Sequence, residues 1–122
     1  MIVHLFVYGT LRPGQQRWPF LEPFVVDEGA DAVVEGTLFD TGNGYPAARF
    51  DRNGDIHGRL YELRAGRIDE ALQRLDEVEG AVTDLFHRVE VTTRSGRTAW
   101  AYEYGGSDAF AEIRSGNWLE PR

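Results

Sequence analysis

With 122 residues, 42% of them hydrophobic and 27% charged, the chain is long enough for one core, too short for two comfortable ones, and far from the composition of a disordered segment. A net charge of -7 with scattered arginines opposes a phosphate backbone, so nucleic acid is not an expected partner. The lack of cysteine removes disulfides, thiolate metal sites and cysteine nucleophiles together and fits a reducing, cytoplasmic setting; the apolar run Met1 to Tyr8 is too short for a membrane span or a signal peptide.

From Ile2 to Tyr8 the chain is dense in β-branched and aromatic side chains and is halted by Gly9, Pro13 and Gly14, the pattern of a buried strand running into a loop. A second strand-like stretch, Ala32 to Phe39, is interrupted by Gly36 and closed by the turn-forming run Asp40 to Gly44. Tyr45-Pro46 restarts extended chain. Asn53-Gly54 lies between Ala47–Phe50 and Ile56–Tyr61, which predicts a hairpin there. Ile68, Ala71, Leu72 and Leu75 recur at helical spacing with charged residues between them, so a helix is predicted from about Arg67 to Glu77, capped near Gly80. Arg88–Thr93 and Thr98–Tyr104 alternate around Ser95-Gly96 as a further hairpin. The expected class is α+β: a single small domain over residues 1–122, a mixed sheet curled toward a barrel, and one main helix. Residues 105–122 form a less regular tail anchored by Phe110, Ile113 and Trp118.

Asp51, Asn53, Asp55, His57 and Glu62 fall in the register of a calcium loop, but Ile56 stands where that loop needs glycine, so the hairpin is preferred. His4, His57 and His87 have no paired ligand spacing, and no metal or cofactor is expected. Two features carry more. After the first strand, Gly9 lets a small molecule approach the backbone, and the N–H groups of Gly9, Thr10 and Leu11 are placed to converge on an anion, although a plain turn with Tyr8 in the core explains the same residues. After the helix, Asp76, Glu77 and Glu79 put negative charge against the macrodipole, so helix stability is not their purpose; solvated surface is the ordinary alternative.

Taken together, Tyr8-Gly9-Thr10-Leu11 and Leu75-Asp76-Glu77-Val78-Glu79-Gly80 resemble, in order and separation, the two signature stretches of the gamma-glutamylcyclotransferase-like family, in its short, AIG2-like form. Glu35 to Phe39 followed by Gly44-Tyr45-Pro46-Ala47, the run His57 to Glu62, and Gly116-Asn117-Trp118 are similar to further family segments, so the resemblance spans roughly residues 3 to 118. It implies a pocket in which Tyr8, Gly9, Thr10 and Leu11 hold a γ-glutamyl group, with Tyr45 as a wall, and in which Glu79 is the catalytic acid-base residue. Many members carry tyrosine where this chain has Phe86, so a hydroxyl is missing at that position.

The implied reaction releases 5-oxoproline: the substrate's own α-amine attacks its γ-carbonyl and expels an amine. Such intramolecular attack needs no protein nucleophile, metal or cofactor. It needs a base that becomes an acid, and one carboxylate with a pKa raised by desolvation serves for both. The expected partner is therefore a small γ-glutamyl compound of unspecified leaving amine. The alternative is a non-catalytic module that binds a small carboxylate or a peptide end in the same cavity.

Overall fold

The computed structural model describes residues 1–9, 11–12, 14–82 and 84–120, with backbone alone at 81 and 82. Its elements are β1 (His4–Val7), α1 (Trp18–Leu21), a 3₁₀ turn (Glu22–Phe24), β2 (Ala30–Glu35), β3 (Thr37–Asp40), β4 (Pro46–Arg49), β5 (Asp55–Glu62), α2 (Ile68–Val82), β6 (Phe86–Thr92), β7 (Thr98–Tyr104) and β8 (Ala111–Glu112). They form a small α+β domain of two sheets, ordered β2-β5-β1-β7-β6 and β4-β3-β8. The larger sheet is mixed, because β1 runs antiparallel to β5 and parallel to β7.

The central place of β1 follows from its residues. Period-two alternation sends Leu5 and Val7 to one face and Phe6 and Tyr8 to the other, and all four are buried. Leu5 and Val7 pack in a cluster with Trp18 and Leu21 of α1 and Ala71 and Leu75 of α2. Phe6 and Tyr8 pack with Leu38 and Ala48 of the smaller sheet. A strand covered on both faces reads as a continuous apolar run, as this one does. Its end, where the chain leaves the sheet at Gly9, is thus fixed from both sides.

The hairpin expected at Asn53-Gly54 does not form. β4 pairs with β3 in the smaller sheet, whereas β5 pairs with β2 and β1 in the larger one. Register explains the difference: Glu35 opposes Asp55 and Thr37 opposes Arg49, so Gly36 by itself faces residues 50–54. The reversal lies at residues 41–45, and Asn53-Gly54 belongs to a large bulge where a long two-stranded ribbon bends from one sheet into the other. Only glycine fits at 36, since a Cβ there would lie 2.5 Å from the Arg49 carbonyl oxygen and 2.6 Å from Cδ1 of Ile56. Within the bulge Asp51 accepts from the Thr37 hydroxyl at 3.1 Å and from the Asn53 N–H at 3.0 Å. Asp55 pairs with Arg94, so two acids of the calcium register, Asp51 and Asp55, are engaged with protein donors.

α2 also extends further than its sequence predicts. Gly80 lies inside it, without the positive φ of a C-terminal cap, because glycine within a helix costs only about 1 kcal/mol and does not compel termination. Glu79 therefore stands on the last turn rather than beyond the helix. At the other end Asp69 and Glu70 occupy the first turn, where carboxylates suit the macrodipole. β6 and β7 pair along their whole length, from Phe86 opposite Tyr104 to Thr92 opposite Thr98. The tail adds β8 to β3 and buries Ile113. No helix is long and apolar enough to cross a membrane among the described residues.

Candidate active site

A cavity opens where β1 ends, lined by Val7, Tyr8, Gly9 and Leu11 on one side and by Glu79, Phe86 and Tyr102 on another, with Arg17, Tyr45 and Pro46 among its remaining walls. Its free volume is about 40 Å³, enough to admit water. Of the residues singled out from sequence, Tyr8, Gly9, Leu11, Tyr45 and Glu79 meet here; Thr10 lies outside the described residues.

Glu79 is half-buried, but its carboxyl is withdrawn from water among apolar and aromatic groups. Burial pushes its pKa from 4.5 up to about 7, and the positive charge of Arg17 works in the opposite direction. Its two acidic neighbours have other duties. Asp76 accepts from the Tyr102 hydroxyl at 2.5 Å and from Arg88 Nε at 3.0 Å, while Glu77 pairs with Arg74 at 3.5 Å. Three acids late in one helix are thus divided among a cavity, a cross-element network and the surface.

The loop after β1 is clamped from behind by β5. The Tyr61 hydroxyl donates to the Leu11 carbonyl at 3.2 Å, and Arg12 Nη2 donates to the His57 carbonyl at 3.1 Å. Gly9 lies tightly against Pro46, whose Cγ would be 3.1 Å from a Cβ on the glycine. Tyr8 is a wall whose hydroxyl is committed: it donates to the Tyr102 carbonyl at 2.5 Å, and burial together with Glu79 raises its pKa. Its proton is therefore committed within the protein rather than to a ligand. Tyr45 meets Phe86 edge to face at 6.1 Å and lies beneath the Arg17 guanidinium at 5.9 Å.

Arg17 and Tyr102 were not singled out from sequence. Nothing in the run Gln15-Gln16-Arg17-Trp18 marks Arg17 as facing a cavity, because the reversal that brings it there is tertiary. Tyr102 was readable only as one more residue of an alternating strand.

Residues 5–120 match the family described as gamma-glutamyl cyclotransferase, AIG2-like. The chain belongs to that family. The family is enzymatic, and this member is 35% identical to the gamma-L-glutamyl-butirosin B gamma-glutamyl cyclotransferase of Niallia circulans, over 98% of this chain and 77% of that one. Among solved structures it resembles an uncharacterized protein from Pyrococcus horikoshii with a TM-score of 0.73 and 26% identity, covering 95% of this chain and 89% of that one. An AIG2-like protein from Mus musculus shares the fold at a TM-score of 0.55 and 17% identity, over 99% and 97% of the two chains. The family's small α+β architecture agrees with the two sheets and principal helix seen here.

Proposed function

We propose that this family member is a gamma-glutamyl cyclotransferase that releases 5-oxoproline from a small γ-glutamyl amine or peptide, with Glu79 as general base and then general acid. One observation carries the reading: a carboxyl whose pKa is lifted to about 7 by burial faces the same cavity as Gly9 and Leu11 at the end of β1.

In this reaction the α-ammonium gives a proton to Glu79, and the resulting amine attacks the γ-carbonyl carbon. A new C–N bond closes the five-membered ring, Glu79 returns its proton to the leaving nitrogen as that nitrogen's bond to carbon breaks, and the second proton lost by the ring nitrogen ends on the expelled amine, which departs as an ammonium. A base poised near neutrality suits both transfers. The N–H groups at Gly9, Thr10 and Leu11 are the proposed donors for the substrate carboxylate and the developing oxyanion.

Phe86 in the cavity wall favours a second reading, a binding module that holds a small carboxylate compound without turning it over. The two separate in one experiment. A panel of γ-glutamyl amines, peptides and the γ-glutamyl isopeptide of lysine is assayed for 5-oxoproline with wild type and Glu79→Gln. Turnover that vanishes in the variant supports the enzyme; thermal protection by a panel member with no 5-oxoproline from either protein supports the module.

A further inference from the structure

Phe86 removes a hydroxyl from the cavity, but Tyr102 supplies one from the adjacent strand. Tyr102 lines the same cavity as Glu79 and Phe86, and its hydroxyl donates to Asp76 Oδ1 at 2.5 Å. Asp76 is in turn forked by Arg88, Nε to Oδ1 at 3.0 Å and Nη2 to Oδ2 at 3.3 Å. Arg88 sits opposite Tyr102 in the β6–β7 ladder and stacks over the Trp100 ring at 4.5 Å. The carboxylate is therefore held on two sides and stands three residues before Glu79 on α2.

This arrangement fixes the polarity of the hydroxyl. An ionised carboxylate accepts hydrogen bonds and donates none, so the single Tyr102 proton points to Asp76 and only acceptor lone pairs remain for the cavity. With the donors proposed at the end of β1, the cavity would set donors there against acceptors at Glu79 and Tyr102. A substrate that brings both a carboxylate and an ammonium matches that division.

On the cyclotransferase reading of this site, we propose that Tyr102 Oη is the second acceptor for the substrate's α-ammonium, holding the nitrogen beside Glu79. Once Glu79 has taken one proton, the neutral amine keeps an N–H directed at Tyr102 Oη, and this contact orients its lone pair toward the γ-carbonyl carbon. Asp76 and Arg88 are positioning residues: they touch no substrate and act by keeping the Tyr102 proton out of the cavity. Substrates with a blocked or missing α-amine lose this contact.

The test measures binding by calorimetry in a Glu79→Gln background, comparing γ-glutamyl methylamide with glutaric acid monomethylamide, which lacks the amine. Adding Tyr102→Phe should weaken the amine-bearing compound by about tenfold, the scale of one charge-assisted hydrogen bond, and change the amine-free one by less than about twofold. Equal weakening of both compounds, weakening of neither, or no preference for the amine-bearing compound while Tyr102 is intact overturns the proposal. Asp76→Asn reads the same contact if the phenylalanine variant does not fold. Its amide can donate to Tyr102 and turn the hydroxyl proton into the cavity, so the same selective loss is expected and an unchanged ratio overturns the proposal. 5-oxoproline is followed in the same samples; turnover surviving in Glu79→Gln marks failure of the base assignment separately from the Tyr102 result.

Discussion

The hydroxyl of Tyr8 donates to the carbonyl oxygen of Tyr102 across 2.5 Å, joining residues 94 positions apart. The bond ties the mouth of the β1 loop to the strand that lines the opposite wall. Tyr8→Phe removes it from a buried setting and should cost about 1–2 kcal/mol in unfolding free energy. The ring stays as a wall, so the larger effect falls on stability rather than on KM. Chemical denaturation beside steady-state kinetics checks the division, and a larger effect on KM would return Tyr8 to the role of ligand donor.

Glu79→Gln should lower turnover by roughly a hundredfold or more, the scale of a lost acid-base group. Its effect on stability depends on pH in a defined direction. The native state keeps the Glu79 proton up to about pH 7, whereas an unperturbed carboxyl releases it near 4.5. Native protein therefore binds more protons between those values, and this group's contribution to stability falls as pH rises through the window and levels above it. The glutamine variant should equal wild type near pH 4 and exceed it by roughly 1–3 kcal/mol at pH 8. Thermal midpoints across that range decide the matter, and a midpoint that drops at pH 8 would mean Glu79 holds the fold together.

Arg17 opposes the rise in the Glu79 pKa, so Arg17→Gln should carry it further above about 7. The base must be ionised to accept a proton, hence the acidic limb of kcat/KM moves to higher pH in the variant. A pH-rate profile measures the shift, and an unchanged limb would show that Arg17 does not act on Glu79 electrostatically.

Gly116 has φ +67°, and a Cβ placed on it would lie 1.8 Å from the Asp55 carbonyl oxygen. Its own carbonyl accepts from the His57 N–H at 2.8 Å, fastening the tail to β5. Gly116→Ala combines backbone strain with a clash against main chain and should destabilise by more than about 2 kcal/mol. Urea denaturation with an unchanged m-value would report the loss; a change below about 0.5 kcal/mol would show that the tail adjusts freely.

What the sequence determined by itself is local and periodic. The apolar run ending at Gly9 specified a doubly covered strand, the spacing of Ile68, Ala71, Leu72 and Leu75 specified α2, and the two motifs around Gly9 and Glu79 pointed to one cavity from positions far apart in the chain. Where a local signal competed with long-range pairing, it misled. Asn53-Gly54 has the chemistry of a hairpin turn, yet the register set by β2 and β3 made it part of a bulge; Gly80 has the chemistry of a cap, yet α2 continues through it. The tertiary structure alone decided that Tyr8 spends its hydroxyl on Tyr102, that Asp76 answers to Tyr102 and Arg88 while Glu79 faces the cavity, and that Arg17 stands beside it. Hydrogen-bond partners and desolvation depend on which side chains from distant segments arrive at the same place, and no short-range pattern encodes that.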